Sequence, residues 1–122
     1  MISFTVEVTP IPAPRPRFKI GVKGKAQVYS ERSYEDYKKV IAYTARQATG
    51  GVIWSKPVRL DITFRRNLSV DNKNFGDCDN LAKGVMDALN KIVYDDDKQV
   101  KELFVHKMTD ENEGIDVIVF YE

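Results

Sequence analysis

Apolar and polar positions alternate along several short stretches of this 122-residue chain. Residues 2–8 and 58–65 place an apolar side chain at every second position, which is typical of half-buried β-strands. Residues 100–108 and 115–121 predict two more strands. The last of these is apolar on both sides over residues 117–120, which predicts a central position in the sheet.

Two longer stretches repeat instead with the period of an α-helix. The first runs from residue 33 to 48 and ends at Gly50 and Gly51. Its predicted apolar face comprises Tyr37, Val40, Ile41, Thr44 and Ala48. The second begins near Asp79 or Asn80, and its apolar stripe comprises Leu81, Val85, Ala88, Leu89 and Ile92. Gly84 lies inside it, where glycine costs about 1 kcal/mol relative to alanine, so a close packing partner is expected.

A turn at residues 21–25 followed by a short strand at 26–29 completes the order β-β-α-β-α-β-β. We therefore predict an α+β fold for residues 1–122, a single small domain whose mixed sheet has four to five strands and packs against two main helices. No apolar run approaches the ~20 residues that span a bilayer. The start of the chain does not resemble a signal peptide and there is one cysteine, so we expect a cytoplasmic protein without a membrane partner.

Acidic side chains, an amide and a lysine crowd the junction before the second helix, in Phe75-Gly76-Asp77-Cys78-Asp79-Asn80-Leu81-Ala82-Lys83. If the chain is extended through Asp79, Asp77 and Asp79 project to one side. Lys83 lies one helical turn after Asp79 and one turn before Asp87, so these three can share a face. Residues 95–97 are all aspartate, and a chain that returns toward the sheet could bring one of them to the same place.

Carboxylates and a lysine without histidine favour Mg²⁺ or Mn²⁺ and the hydrolysis of a phosphodiester. A calcium loop beginning at Asp71 is disfavoured because Lys73 and Phe75 occupy positions of oxygen ligands. One cysteine, Cys78, and one histidine, His106, support neither a zinc site nor a nucleophilic pair. The structural alternative is a capped helix end with solvated acids.

Charge is divided unevenly along the chain. Residues 1–66 carry 13 Lys and Arg against 5 Asp and Glu, a balance of +8, whereas residues 67–122 carry 6 against 13, a balance of −7. Such a division suits a polyanion held against a metal site, although the charges could simply interleave on the folded surface.

Four prolines in residues 10–16 predict a stiff extended segment. The cations that it and the following turn carry are Arg15, Arg17, Lys19, Lys23 and Lys25. We interpret this segment as an arm that binds the DNA backbone, and the alternative is a proline-rich linker with incidental charges.

Three motifs, Asp77-x-Asp79-Asn80-Leu81-x-Lys83, Asp87-Ala88-Leu89 and Asp96-Asp97-x-Gln99-Val100, resemble the RusA family of Holliday-junction resolvases of bacteria and their phages. The proline-rich segment after the first strand is similar too, so the resemblance covers most of the chain. It implies a homodimer that cuts four-way DNA junctions symmetrically with Mg²⁺ or Mn²⁺ and no small-molecule cofactor, in DNA recombination and repair.

The resemblance also implies roles for individual residues. The catalytic carboxylates would be Asp77, Asp79 and Asp97, with Lys83 as the essential lysine, and Asp96 is an alternative third ligand. Phe75 either inserts at the branch point or packs beneath its own loop.

Three hypotheses follow from the sequence: a dimeric junction resolvase, a metal-dependent nuclease acting on flaps, single strands or other branched nucleic acid, and an inert junction-binding module. Clustered carboxylates argue against the third, because a surface that only binds phosphate gains nothing from them.

Overall fold

The computed structural model describes residues 1–14, 31–68 and 75–122. Its elements in chain order are β1 (Ile2–Val6), α1 (Glu31–Thr49), β2 (Val58–Arg66), α2 (Cys78–Leu89), a 3₁₀ turn (Asp97–Gln99), β3 (Val100–Thr109) and β4 (Gly114–Tyr121). The predicted α+β class, with two helices and a mixed four-stranded sheet, is confirmed. The strand predicted at residues 26–29 lies outside the described residues.

The sheet has the strand order β1-β4-β2-β3. β4 is antiparallel to both of its neighbours, and β3 is parallel to β2. A parallel pair needs a crossover, which α2 and the segment after it supply. The central position predicted for the last strand is confirmed, and among the described strands β3 lies at an edge.

Both helices cover one face of the sheet. Alternate residues of β2 and β4 point into this layer and are buried, namely Val58, Leu60, Ile62, Phe64, Ile115, Val117 and Val119. The helices contribute Tyr34, Tyr37, Ile41 and Ala45 from α1 and Leu81, Val85 and Leu89 from α2. The predicted apolar face of α1 is partly wrong, because Val40 remains 44% exposed while Tyr34 and Ala45 are buried.

The two helices meet closely at Gly84. A Cβ atom built on Gly84 would lie 2.7 Å from the Tyr34 hydroxyl oxygen, so glycine is what allows the tyrosine ring of α1 to rest on α2. The close packing partner predicted for Gly84 is therefore Tyr34. This contact sets the distance between α1 and α2, the helix that carries Asp79, Lys83 and Asp87.

The described part of the proline-rich segment packs against the start of α2. Ile11 and Ala13 are buried in the core, and the Ala13 amide donates to the Asn80 carbonyl at 3.1 Å. Gly76 has φ +103°, and a Cβ there would lie 2.9 Å from Pro12 Cβ. The chain thus needs glycine directly before the acidic motif, both for its backbone conformation and for the proximity of Pro12.

No helix within residues 1–14, 31–68 and 75–122 is long and apolar enough to cross a membrane.

Candidate active site

The first carboxylate of the motif lies at the start of α2. Asp77 is the N-cap residue, with extended backbone (φ −82°, ψ 152°), and its carbonyl accepts from the Leu81 amide at 3.0 Å. The helix begins at Cys78, earlier than the predicted start near Asp79 or Asn80. The interpretation that the chain is extended through Asp79 is therefore wrong. Asp79 belongs to the first helical turn, where a negative charge is favoured by the helix dipole.

Side chains from three elements line one pocket with a volume of about 250 Å³. The first element is α2, whose residues Asp79, Lys83 and Asp87 are successive members of one helical face. The 3₁₀ turn contributes Asp97 and β3 contributes Leu103. The sequence could predict the helical face, but only the returning chain brings Asp97 to Asp79.

The lysine of this pocket is paired with a carboxylate. Lys83 Nζ lies 3.6 Å from Asp87 Oδ2, and the two side chains are 65% and 31% exposed. A pair this open to solvent contributes well under about 1 kcal/mol to stability. Its consequence is local: the ammonium group stays beside Asp87 at the pocket while the side chain remains largely exposed.

The structure distinguishes the consecutive aspartates at residues 96 and 97. Asp96 caps the 3₁₀ turn, because its Oδ1 accepts from the Lys98 amide at 2.9 Å. Asp97 is half-buried and lines the pocket. Asp77, by contrast, is exposed and is not among the residues that line this pocket.

A buried tyrosine lies close to this group of carboxylates. Tyr94 is fully buried, and its hydroxyl donates to the Met86 carbonyl at 3.0 Å. Burial, followed by the negative charges of Asp97, Asp87 and Asp96, raises the pKa of Tyr94 far above its usual value. Tyr94 is therefore a neutral donor that fixes the middle of α2 from the inside.

The donor chemistry of the pocket fits a hard divalent cation. Its charged lining consists of Asp79, Asp87 and Asp97 with Lys83, and carboxylate oxygens are the ligands that Mg²⁺ and Mn²⁺ prefer. Over the described ranges, no three His, Cys, Asp or Glu side chains converge closely enough to form a metal-binding group. The residue types thus match a metal site, while the carboxylates are spread around the pocket.

Phe75, immediately before the motif, is partly buried and packs against the hydrophobic core. Lys107 Nζ lies 5.2 Å from the centroid of its ring and donates to the Gly76 carbonyl at 2.7 Å. Lys107, on β3, therefore ties the loop before α2 to the edge of the sheet. In this conformation Phe75 packs beneath its loop, which is the second of the two roles expected for it.

The DNA-binding residues predicted in the arm, Arg15, Arg17, Lys19, Lys23 and Lys25, lie outside the described residues. Elsewhere the basic and acidic parts of the chain interleave on the open face of the sheet. Arg65 Nε lies 3.0 Å from Asp116 Oδ2, and Arg59 Nη1 lies 3.9 Å from Glu102 Oε1. Part of the charge division seen in the sequence is therefore neutralised within the fold.

Sequence reasoning placed Asp87 on the face of Asp79 and Lys83 but did not select it as a site residue, and the structure puts it in the pocket. Leu103 had no signal beyond its strand pattern. Cys78 and His106, the single cysteine and the single histidine, lie in different surroundings. Cys78 is exposed at the first position of α2, and His106 Nε2 lies 3.3 Å from Asp61 Oδ1 on the open sheet face.

Comparison with known proteins identifies relatives of the whole fold. The family model described as "Endodeoxyribonuclease RusA" matches residues 7–119, which include every described element except β1 and the last two residues of β4. An uncharacterized protein of Bacillus subtilis (strain 168), YqaN, is 32% identical over 135 aligned positions, which cover 97% of this chain and 94% of that relative. The chain belongs to the RusA family of endodeoxyribonucleases, which are Holliday-junction resolvases.

Proposed function

We propose that this protein resolves four-way DNA junctions in recombination and repair as a metal-dependent homodimer that makes paired symmetric nicks. The observation that supports this most directly is the shared pocket of Asp79, Lys83 and Asp97 in a chain of the RusA family. Residues separated in sequence meet there with the chemistry that phosphodiester hydrolysis needs. The remaining features of the proposal follow from that site and from the symmetry of its substrate.

In this proposal Asp77, Asp79 and Asp97 hold Mg²⁺ or Mn²⁺. When bound, the cation neutralises charge on the scissile phosphate and promotes formation of the hydroxide nucleophile. Without a cation the carboxylates would repel a phosphate, so cation binding is expected to favour entry of the scissile phosphate into the pocket. Asp77 is the exposed N-cap residue of α2, two residues before Asp79, and in this proposal its side chain turns toward the pocket when the cation binds.

Lys83 supplies the positive charge that remains on the protein. Its side chain is largely exposed, so its ammonium can reach a nonbridging phosphate oxygen without any backbone movement. Asp87 holds the ammonium in the free enzyme, and a phosphate would compete with Asp87 for it. The lysine would then stabilise the charge that develops as the phosphodiester bond breaks.

The proline-rich segment is proposed as the contact to the DNA backbone. It carries Arg15 and Arg17, with Lys19, Lys23 and Lys25 following, and its described part is anchored at Ala13 against the start of α2. An arm attached next to the pocket would position a junction strand near the carboxylates. A stiff segment also loses little conformational entropy when it binds.

The homodimer is proposed from the symmetry of the substrate. A four-way junction has approximate two-fold symmetry and its resolution needs two cuts, whereas the chain carries one acidic motif. Two copies related by a two-fold axis would present two pockets to opposite strands.

The test is cleavage of a labelled four-way junction beside linear duplex, flap and single-stranded substrates, each with Mg²⁺, with Mn²⁺ and with a chelator. Paired nicks restricted to the junction and dependent on the cation are expected. Asp77→Asn is the control: it should abolish cleavage while junction binding is kept or becomes tighter, because a ligand and a negative charge are removed together. Cation-dependent cutting of every substrate would indicate a general nuclease, and binding without cutting would overturn the proposal.

A further inference from the structure

The side chain of Gln99 uses its whole hydrogen-bonding capacity next to the candidate site. Its Oε1 accepts from two backbone amides, those of Asp95 at 2.8 Å and Asp96 at 3.0 Å. Its Nε2 donates to two backbone carbonyls, those of Trp54 at 2.9 Å and Lys56 at 2.9 Å. One amide therefore joins the acidic loop to the segment between α1 and β2.

The orientation of this amide is determined by its surroundings. Two N–H groups face its oxygen and two carbonyl groups face its nitrogen, so the reversed orientation would create four mismatched contacts. Glutamate has no donors for Trp54 and Lys56, and methionine can satisfy none of the four groups. Glutamine is the side chain of this length that meets all four requirements.

The same loop has other attachments that meet at Gln99. The Asp96 carboxylate accepts from the Gln99 backbone amide, and the Gln99 side chain accepts from the Asp96 backbone amide, which gives a reciprocal capping box. The Trp54 amide donates to the Val93 carbonyl at 2.8 Å, so the two connected segments run side by side before Gln99 joins them again.

The hydrogen bonds of Gln99 oppose the electrostatic repulsion among the aspartates of the loop. Residues 95–97 are three consecutive aspartates, two of them exposed, and their like charges favour an open and variable loop. Asp97 lies in the chain between Asp96, whose amide binds the Gln99 side chain, and Gln99 itself. Of the three aspartates, it is Asp97 that lines the pocket with Asp79. A loop that is held on both sides of Asp97 leaves this carboxylate little freedom to move away.

We propose that Gln99 is a positioning residue for the cleavage reaction, which holds Asp97 at the pocket through the backbone of the acidic loop. The inference rests on the proposed function and adds to it a residue that contacts neither cation nor DNA. Its role is to keep the third carboxylate preorganised, so that cation binding does not have to order the loop.

Two substitutions separate this role from an effect of charge. Gln99→Glu keeps the acceptor for Asp95 and Asp96 but turns a carboxylate toward the carbonyls of Trp54 and Lys56. The added negative charge alone would strengthen cation binding, whereas loss of positioning would weaken it. Gln99→Met is close in length and neutral, and it removes all four side-chain hydrogen bonds.

The experiment measures the Mn²⁺ concentration for half-maximal junction cleavage, direct Mn²⁺ binding by calorimetry without DNA, and junction binding in chelator. Both variants should need about 10-fold more Mn²⁺ and bind it correspondingly more weakly, as is usual when a partner of a metal ligand is lost. Junction binding in chelator should stay within about twofold of the wild type, since Gln99 is not in the proposed DNA contact.

Glu113→Gln is the control for general destabilisation, because Glu113 pins the turn between β3 and β4 through Thr9 and Asn67. It should lower the melting temperature without changing the Mn²⁺ requirement. Unchanged Mn²⁺ dependence in Gln99→Glu and Gln99→Met would overturn the inference, as would an equal change in Glu113→Gln.

Hydrogen exchange on the wild-type protein tests the same arrangement without a variant. The Asp95 and Asp96 amides belong to exposed residues, yet both should be protected because they donate to Gln99. Exchange of both at the rate of an unprotected loop would contradict the arrangement. A wild-type protein that cuts no junction with either cation would instead overturn the proposed function, and the inference with it.

Discussion

At the scale of single residues, neighbouring acids in the motif have separate roles. Asp77 ends an extended segment and Asp79 lies in the first turn of a helix, so two residues that looked equivalent in the sequence differ in backbone conformation, and only Asp79 lines the pocket. Asp96 and Asp97 differ in the same way, because one caps a turn and the other faces the pocket. The chemical character of these carboxylates could be predicted from the sequence. Their individual surroundings could not, since each depends on where a helix or turn begins.

This difference predicts unequal effects of two similar substitutions. Asp97→Asn should lower junction cleavage by more than roughly 100-fold, because it removes a proposed ligand and not merely a partner of one. Asp96→Asn should retain at least about half of the wild-type rate, since its amide oxygen can still accept from Lys98 and preserve the cap. Single-turnover cleavage at saturating Mg²⁺ measures both. Equal losses in the two variants would contradict the assignment of Asp97.

At the scale of secondary structure, α2 combines the site with a helix contact. One face carries Asp79, Lys83 and Asp87, while another buries Leu81, Val85 and Leu89. Gly84 allows α1 to approach, and Tyr34 fills the space that a larger residue would occupy. The sequence indicated that something packs on Gly84, but the partner was undetermined because it lies about fifty residues away in the chain.

Gly84→Ala should destabilise the fold despite the better helix propensity of alanine. Alanine gains about 1 kcal/mol in the helix, but its Cβ would lie 2.7 Å from the Tyr34 hydroxyl, and overpacking of this kind typically costs about 1–3 kcal/mol. Urea denaturation should show a net loss on the order of 1 kcal/mol.

Tyr34→Phe provides the matched rescue. Among the described residues the buried Tyr34 hydroxyl has no hydrogen-bond partner, and its burial raises the Tyr34 pKa to about 12, with further contributions from Asp87 and Glu35. Removing the hydroxyl should therefore cost little and relieve the clash. Gly84→Ala should be neutral or stabilising in the Tyr34→Phe background, and a loss of the same size in both backgrounds would disprove the packing argument.

At the scale of the whole molecule, side chains of the basic first part and the acidic second part of the chain meet at the sheet. Glu113, in the turn after β3, accepts from the Thr9 hydroxyl at 2.6 Å and from the Asn67 amide at 2.8 Å, and it lies 3.4 Å from Arg66 Nε. These partners come from the region after β1 and from the end of β2. The turn thus fastens three separated segments at the end of the sheet.

This fastening should depend on pH. The Thr9 hydroxyl, the Asn67 amide and Arg66 together hold the Glu113 pKa below its usual value of 4.5. The unfolded chain takes up its proton first as pH falls, so the contribution of Glu113 to stability is present above about pH 4.5 and is lost as pH falls through the folded-state pKa.

Glu113→Gln should therefore lower the free energy of unfolding by about 1–3 kcal/mol at pH 7, with a difference from the wild type that shrinks below pH 4.5. Urea denaturation from pH 7 to pH 3 measures this dependence. Glu111→Gln removes a charge from the same turn at an exposed position and serves as the control. A constant difference across this range would exclude the carboxylate interactions as its cause.

The proposed arm is also tested at the level of the whole molecule, through the salt dependence of junction binding. Arg15→Ala with Arg17→Ala should weaken binding and flatten the slope of log K against log salt by about 1.8, because each phosphate contact contributes about 0.9. Lys39→Ala with Arg46→Ala removes the same charge from exposed positions of α1. The arm would lose its support if its double variant kept the wild-type slope, or if the α1 control flattened the slope equally.

The sequence by itself determined the types of the elements and the chemical character of the site. Alternation in β2 and helical spacing in α2 are properties of a few neighbouring residues, and local sterics and amphipathicity decide them. The motif from Asp77 to Lys83 likewise displays its carboxylates and lysine within two helical turns.

Tertiary structure alone decided how the separated pieces meet. The parallel placement of β3 beside β2, the meeting of Asp97 with Asp79 at the pocket and the hydrogen bonds from Gln99 to Trp54 and Lys56 all join segments distant in the chain. Such contacts depend on how the core packs and on which backbone groups remain to be satisfied, and no local pattern encodes them. In this protein the sequence determined which side chains the site contains, whereas the fold determined how they are arranged.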